Sequence, residues 1–213
     1  PEPGPPPALR QLATPAETPA LFRPPAVPPA PFATLARAWT FADALSGDRV
    51  PVRAIGKAQA GIVVDASSGR VLWSKQARTP LQIASLSKMM TMLLALEALQ
   101  RGEARLDMPI TVSRAAASVG GSQVYLKQGE TFTLSELLKT IIISSANDSS
   151  HLVAETLGGD VSAFVRRMNE RAAALGMSNT RYYNPHGLPM ESGRNVSSAL
   201  DQALLARQLV KYP

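Results

Sequence analysis

Residues 85–101 constrain the fold more than any other stretch, because every position from 89 to 99 except Thr91 and Glu97 is apolar. Methionine, leucine and alanine occupy both the inward and the opposite face of the predicted helix, and Gly102 follows as a typical helix-ending residue. A helix that is apolar on all sides is stable only when other elements cover it, so this one is predicted to run through the middle of a domain. Its methionines are predicted to fill the core rather than to bind metal.

Ser85 and Lys88 stand three residues apart at the start of this predicted helix. That spacing places both side chains on one face, with Cβ atoms about 5–6 Å apart. Burial lowers the pKa of a lysine, and a neutral amine can take the proton of a serine hydroxyl. We therefore predict Ser85 as a nucleophile and Lys88 as its base. The commoner interpretation of an isolated Ser-x-x-Lys is a capping serine followed by a surface lysine.

Ser145 and Asn147 form a second polar pair, on the short connection between two predicted helices. A hydroxyl and an amide from a second element could complete a proton path and hold a peptide carbonyl. The alternative is structural, since Asn147 or Asp148 could simply cap the following helix. The functional interpretation of Ser145 and Asn147 gains weight because apolar helices flank both this pair and the Ser85–Lys88 motif.

Composition and charge argue against several classes of protein. The net charge is +6, but no basic run is interleaved with aromatic residues, so we expect no nucleic-acid partner. There is no cysteine, which rules out disulfides and thiolate metal sites. No stretch of 18 apolar residues is present, so no membrane-spanning helix is predicted. The first residue is Pro1, which suggests a processed or cut chain and is compatible with a removed signal peptide.

Three regions are predicted along the chain. Residues 1–31 hold 12 of the 18 prolines and are predicted to be an extended, disordered linker, because proline removes backbone donors and fixes φ. Residues 32–56 are predicted to be a short amphipathic lead-in, and residues 57–213 the folded domain. Within that domain we predict strands at 61–65, 70–74 and 110–112 and an extended piece at 120–126. Helices are predicted at 85–101, 133–143, 148–157, 161–175 and, capped by Ser197, to about 211.

The motifs, taken in order, resemble those of a known family. They lie at 84–91, 121–124, 144–148, 169, 173–179, 184–189 and 196–199. This series is similar to that of the serine D-alanyl-D-alanine carboxypeptidases, which are low-molecular-mass penicillin-binding proteins, and it covers residues 60–213. The resemblance implies an α/β fold of the β-lactamase/transpeptidase type, with a helical cluster beside an antiparallel sheet.

The same resemblance implies a function and a role for each site residue. Ser85 would be the acylated nucleophile, Lys88 its base, Ser145 a proton-shuttling partner and Asn147 a substrate-holding amide. The implied reaction removes the terminal D-alanine of peptidoglycan stem peptides, with no cofactor and no metal. It would take place in the bacterial cell envelope, in a periplasmic or other extracytoplasmic location, where peripheral membrane association is conceivable. β-Lactam antibiotics are the implied covalent inhibitors.

The chain departs from the family pattern in two places. The family's Lys-Thr-Gly is absent: Lys139-Thr140-Ile141 lies inside a predicted helix, and the sequence stops at Pro213, before the expected position of that motif. We therefore expect the C-terminal sheet strands to be missing from this chain and the site to be incomplete. Leu200 stands where relatives usually carry arginine.

Other functions stay open from the sequence. A D,D-endopeptidase and a β-lactamase would share the fold, and Glu191 with Asn195 mimics the spacing of a deacylating glutamate loop. A non-catalytic module that binds peptidoglycan peptides would explain the missing motif but not the intact Ser85 and Lys88. Both histidines, His151 and His186, are predicted to be structural.

Overall fold

The structure is a computed structural model that describes residues 57–191 and 193–212. The predicted linker, 1–31, and the predicted lead-in, 32–56, lie outside the described residues, so the domain boundaries stay predictions. The elements are β1 (Gly61–Val64), β2 (Val71–Lys75), β3 (Leu81–Gln82), a 3-10 turn (Ala84–Ser87), α1 (Lys88–Gln100), β4 (Pro109–Thr111), α2 (Arg114–Ala117), β5 (Thr131–Thr133), α3 (Leu134–Ile143), α4 (Asn147–Gly158), α5 (Val161–Ala174), β6 (Val196–Ser197) and α6 (Ala199–Leu209).

The described strands form three antiparallel pairs: β1 with β2, β3 with β6, and β4 with β5. The first pair confirms the predicted hairpin. Its connection, residues 65–70, is called the hairpin turn below. Asp65 closes it by accepting hydrogen bonds from the Ser67 hydroxyl and from the Ser68 backbone N–H, both at 2.7 Å. Gly69 has a φ of +76°, a conformation that favours glycine.

Helix α1 lies between two hydrophobic clusters, as its sequence predicts. Ala95 and Ala98 face a cluster that includes Leu137 of α3. Met90 and Leu93 face a second cluster that contains the following buried residues of α5 and α6 and of the segment between them: Phe164, Met168, Met177, Tyr182 and Leu205. Because both sides of α1 are covered, its amino-terminal end is fixed relative to α4 and α5.

Three details of the predicted elements are wrong. Ser85 lies in the 3-10 turn and not in the α-helix, since Ala84 has a φ of +42° and α1 begins only at Lys88. The last helix is capped by Ser198, whose hydroxyl accepts from Asp201 N–H, because Ser197 is engaged in β6. The piece at 120–126 is not extended throughout, because Tyr125 has a φ of +59°.

An apolar groove of about 660 Å³ opens between β1, the 3-10 turn and α6. Its lining includes Ile62 and Val64 of β1, Leu86 and Met89, and Ala203 and Ala206 of α6. Among the described helices, none is both long enough and apolar enough to cross a bilayer.

Candidate active site

Lys88, the first residue of α1, is at the centre of the site and is only 4% exposed. Its Nζ has three oxygen partners: Ser85 Oγ at 3.1 Å, Asn147 Oδ1 at 2.7 Å and the carbonyl oxygen of His186 at 3.1 Å. A protonated amine donates one hydrogen to each of them. A neutral amine has two hydrogens, so if these go to Asn147 and His186, its lone pair faces the Ser85 hydroxyl.

Burial lowers the pKa of Lys88 from its usual 10.5 to about 8. Roughly one molecule in ten therefore carries a neutral Lys88 at pH 7. No carboxylate is among the three partners of the amine, so nothing in direct contact offsets the cost of burying its charge. The arrangement suits a group that must give up and regain a proton near neutral pH.

Ser85 is exposed, whereas the lysine behind it is buried. The 3-10 turn presents its hydroxyl at the surface while directing the neighbouring Ser87 hydroxyl inward, where it donates to Ala84 O at 2.7 Å. Gly187 packs against this turn so closely that a Cβ there would lie 1.9 Å from Ala84 O. Only glycine fits at position 187, and the close approach fixes the turn that carries Ser85.

Residues 184–188, called the site loop below, supply the His186 carbonyl. Asn184 Oδ1 accepts from His186 N–H at 3.1 Å and from Gly187 N–H at 2.6 Å. Asn184 Nδ2 donates to Leu188 O at 2.7 Å. One buried side chain thus folds the loop around itself and directs the His186 carbonyl at Lys88.

Two further side chains fasten the site loop to the helices. Thr91, one turn after Lys88 in α1, donates to Pro185 O at 2.7 Å. Asn195 is 2% exposed; its Oδ1 accepts from Tyr183 N–H and Asn184 N–H, and its Nδ2 donates to Ser87 Oγ at 2.8 Å. Asn195 therefore joins the site loop to the turn that carries Ser85.

Asn147 is the first residue of α4 and is almost fully buried. Its Oδ1 accepts from Lys88, and its Nδ2 donates to Gly120 O at 2.8 Å. Its backbone N–H donates to Ser122 O at 2.7 Å. The amide thus orients the lysine and holds the 120–123 segment beside the site. Its predicted role as a substrate-holding amide stays a prediction.

Ser145 precedes Asn147 on the short α3–α4 connection and is half-buried. Its φ is +53°, which is uncommon for serine. Four described residues other than glycine have a positive φ, and Ala84, Ser145 and Tyr125 are three of them. Such strain persists only when the surrounding structure imposes it, and it concentrates at functional sites.

Asp148 is fully buried and holds the segment that carries Tyr125. Its Oδ2 accepts from Val124 N–H and Leu126 N–H, each at 3.1 Å. Tyr125 lies between these two anchors with a φ of +59°, and its side chain is 75% exposed. The carboxylate also accepts from Ser149 N–H in the first turn of α4 at 2.9 Å, so it serves that helix end, as the structural alternative had it, and braces the neighbouring loop as well.

The four predicted site residues do not play equal parts in the hydrogen-bond network. Ser85, Lys88 and Asn147 form one network, whereas the described residues offer no hydrogen bond to the Ser145 hydroxyl. Sequence reasoning missed the anchoring by Thr91, Asn184, Asn195 and Asp148 and the carbonyl of His186. All of them except Asn195 lie inside the family-like motifs, which was the available signal, and Asn195 directly precedes the motif at 196–199. Among the described residues no group of His, Cys, Asp or Glu side chains could hold a metal ion.

The family model for D-alanyl-D-alanine carboxypeptidases matches residues 50–213. The chain belongs to this family. D-alanyl-D-alanine carboxypeptidase DacF of Bacillus subtilis is 42% identical over 156 residues, which are 73% of this chain and 40% of the relative. The chain thus spans about 40% of the length of that curated relative.

Solved structures agree with the family assignment. The D-alanyl-D-alanine carboxypeptidase DacD from Francisella tularensis has a TM-score of 0.71 and 34% identity, covering 76% of this chain and 38% of that one. Penicillin-binding protein D2 from Listeria monocytogenes, solved in its ampicillin-bound form, has a TM-score of 0.65 and 31% identity, covering 72% and 61%. The predicted fold class is confirmed: this carboxypeptidase-family chain has the penicillin-binding-protein fold, with helices beside antiparallel strands.

Proposed function

We propose that this chain carries the nucleophile and base of a serine-type D-alanyl-D-alanine carboxypeptidase, which removes the terminal D-alanine from peptidoglycan stem peptides. The observation that carries the proposal is the 3.1 Å contact between the buried amine of Lys88 and the exposed hydroxyl of Ser85. The amine has no carboxylate among its hydrogen-bond partners. Family membership supplies the substrate class.

In the first step neutral Lys88 takes the hydroxyl proton of Ser85 as Oγ attacks the carbonyl carbon of the penultimate D-alanine. The tetrahedral intermediate then loses the terminal D-alanine, whose nitrogen takes a proton as the C–N bond breaks. We assign that proton delivery to the Ser145 hydroxyl, which gives its proton to the nitrogen and regains one from the protonated Lys88, so that both groups end neutral. Ser145 is half-buried and uncommitted among the described residues. Water hydrolyses the resulting ester and restores Ser85.

The hydrogen bonds and the pKa of Lys88 support its role as the general base. A general base must be within hydrogen-bond reach of the proton it removes and have a pKa near the working pH. Lys88 meets both conditions. Asn147 and the His186 carbonyl accept two amine hydrogens from it, which directs the remaining position at Ser85.

The proposal extends to the location and the inhibitors of the protein. Stem peptides lie outside the cytoplasmic membrane, so the enzyme would work in the bacterial cell envelope, with peripheral membrane association as a further expectation. A β-lactam would acylate Ser85, in line with the ampicillin-bound form of the Listeria relative.

The test is covalent labelling of the full-length protein with a fluorescent penicillin, together with D-alanine release from a stem pentapeptide. The wild type should be labelled on Ser85 and should release D-alanine, whereas Ser85→Ala should do neither. Ser67→Ala, in the exposed hairpin turn, is the matched control and should behave as the wild type.

Other outcomes would point elsewhere. Equal labelling of the wild type and Ser85→Ala would refute the nucleophile. Continuous turnover of penicillin would indicate a β-lactamase. Cleavage of a cross-linked dimer in preference to the pentapeptide would indicate an endopeptidase, and binding of peptide without release of D-alanine would indicate a non-catalytic module.

A further inference from the structure

We propose that His186 is a positioning residue: the lone pair on its imidazole Nδ1 closes the turn that keeps its own backbone carbonyl on Lys88. This inference rests on the proposed function of Lys88 as a base. The two hydrogen bonds involved belong to one residue, so the His186 side chain places the carbonyl together with Asn184, which binds the backbone on both sides of it.

The geometry of the site loop carries the inference. Leu188 N–H donates to His186 Nδ1 at 3.2 Å, and Lys88 Nζ donates to His186 O at 3.1 Å. A side-chain acceptor that binds the N–H two residues later is the arrangement of an Asx turn, here made by histidine. It requires Nδ1 without a proton, hence the neutral ring with its hydrogen on Nε2.

The surroundings of His186 keep the ring neutral. The residue is 7% exposed. From α4, the His151 ring stacks on it with centroids 6.2 Å apart, and Glu155 lies 3.3 Å from His151 Nε2. From α1, Lys88 faces it. Burial, followed by the charges of His151 and Lys88, lowers the pKa of His186 to about 4.

Loss of the acceptor has a defined consequence. With no acceptor at Nδ1, the half-buried Leu188 N–H lacks its partner, the turn opens, and the carbonyl moves away from Lys88. The amine then keeps only two of its three oxygen partners and gains access to water. Displacements of about 1 Å at a catalytic group can cost 10²-fold in rate.

Asparagine is the matched replacement, because its Oδ1 can accept from Leu188 N–H as in an ordinary Asx turn. Alanine removes the acceptor. His151→Asn is the control, since it removes the stacked neighbour and leaves the turn intact. All three variants are made in the full-length protein, and the acylation rate at saturating penicillin is measured separately from the half-saturating concentration.

His186→Ala should lower the saturating acylation rate by about 10–10²-fold with little change in half-saturation. His186→Asn and His151→Asn should stay within about 3-fold of the wild type, a threshold well below that loss. Equal losses in the alanine and asparagine variants, or a loss confined to half-saturation, would overturn the proposal.

Two readouts separate positioning from general instability. The pKa of Lys88, followed by NMR of its side chain, should rise towards 10.5 in His186→Ala as water enters, and stay near 8 in His186→Asn. The native state should also lose stability as pH falls from 6.5 to about 4 in the wild type, where His186 must be protonated against its lowered pKa. Both variants at position 186 should lose this slope, but only alanine should lose rate.

The NMR readout does not depend on enzymatic activity. If the wild type failed to label, the proposed function would fall, whereas the Lys88 pKa would still report on the turn. An unchanged Lys88 pKa in His186→Ala would overturn the positioning role by itself.

Discussion

The hairpin turn and the site loop are both closed by a polar side chain, yet they are built in opposite ways. In the hairpin turn the hydrogen bonds of Asp65 run to residues no further along the chain than Arg70, and those to its side chain are exposed. The site loop is buried. It draws on α1 through Lys88 and Thr91 and on the segment before β6 through Asn195.

This difference predicts how well each region tolerates substitution. The hairpin turn exchanges its bonds with water at little cost, so it tolerates change. The site loop replaces water around a charged amine, so each missing bond leaves a buried group unpaired. The following predictions test that contrast, from the largest expected effect to the smallest.

The base should be the most sensitive group of the site. Lys88→Arg keeps charge and bulk but cannot accept a proton near neutral pH, so acylation by penicillin should fall by about 10²–10⁴-fold. Stopped-flow fluorescence with a labelled penicillin measures this rate. Arg70→Lys, at the edge of the hairpin turn, is the control: it makes the reverse exchange and should leave the acylation rate unchanged. Near-normal acylation by Lys88→Arg would contradict the role of base.

The charge on Lys88 should also make stability depend on pH. Its native pKa, about 8, lies below its unfolded value of 10.5, so the unfolded state binds more protons between these values. The free energy of unfolding should therefore rise by about 3 kcal/mol as pH increases from 8 to 10.5. Below pH 8 the full cost of burying the protonated amine is present. Urea titrations of wild type and Lys88→Met give the difference; an identical pH slope for both would refute it.

Asn195→Ala should remove the hydrogen bonds that join the site loop to the 3-10 turn carrying Ser85. It leaves Tyr183 N–H and Asn184 N–H without their acceptor and removes the donor to Ser87 Oγ. We expect a loss of about 1–3 kcal/mol in the free energy of unfolding, together with slower acylation. Asn179→Ala, whose side chain bonds only the exposed Ser178 hydroxyl, is the control. A stable but slow Asn195→Ala variant would shift the effect from folding to positioning.

The hairpin turn should give the smallest effect. Hydrogen bonds from the Ser68 and Ser67 side chains hold the pKa of Asp65 below its usual range. Its contribution is present above the unfolded value of 3.8 and is lost as pH falls further. Asp65→Asn should shift the urea midpoint less than Asn195→Ala and leave acylation unchanged. A loss of acylation would mean that the hairpin turn, like the site loop, serves the site.

The contrast also explains which parts of the molecule could be predicted. The capping box of Thr133 and Glu136 is formed as predicted, with both reciprocal hydrogen bonds present. The hairpin and α1 were likewise predictable, because turn residues and apolar spacing act within a few positions of the chain. The 3-10 turn was not, because Ala84 has its positive φ where Gly187 packs against it from a distant segment.

The sequence by itself determined the central helix, the Ser85–Lys88 spacing and the family, since these depend on patterns along the chain. Only the tertiary structure decided that Lys88 has three oxygen partners and that Asn184 and Asn195 hold the loop that carries one of them, the His186 carbonyl. Two of the three partners, Asn147 and His186, lie 59 and 98 positions from the lysine along the chain. Hydrogen bonds between such distant residues leave no periodic signal, because they depend on how helices pack rather than on local backbone preference.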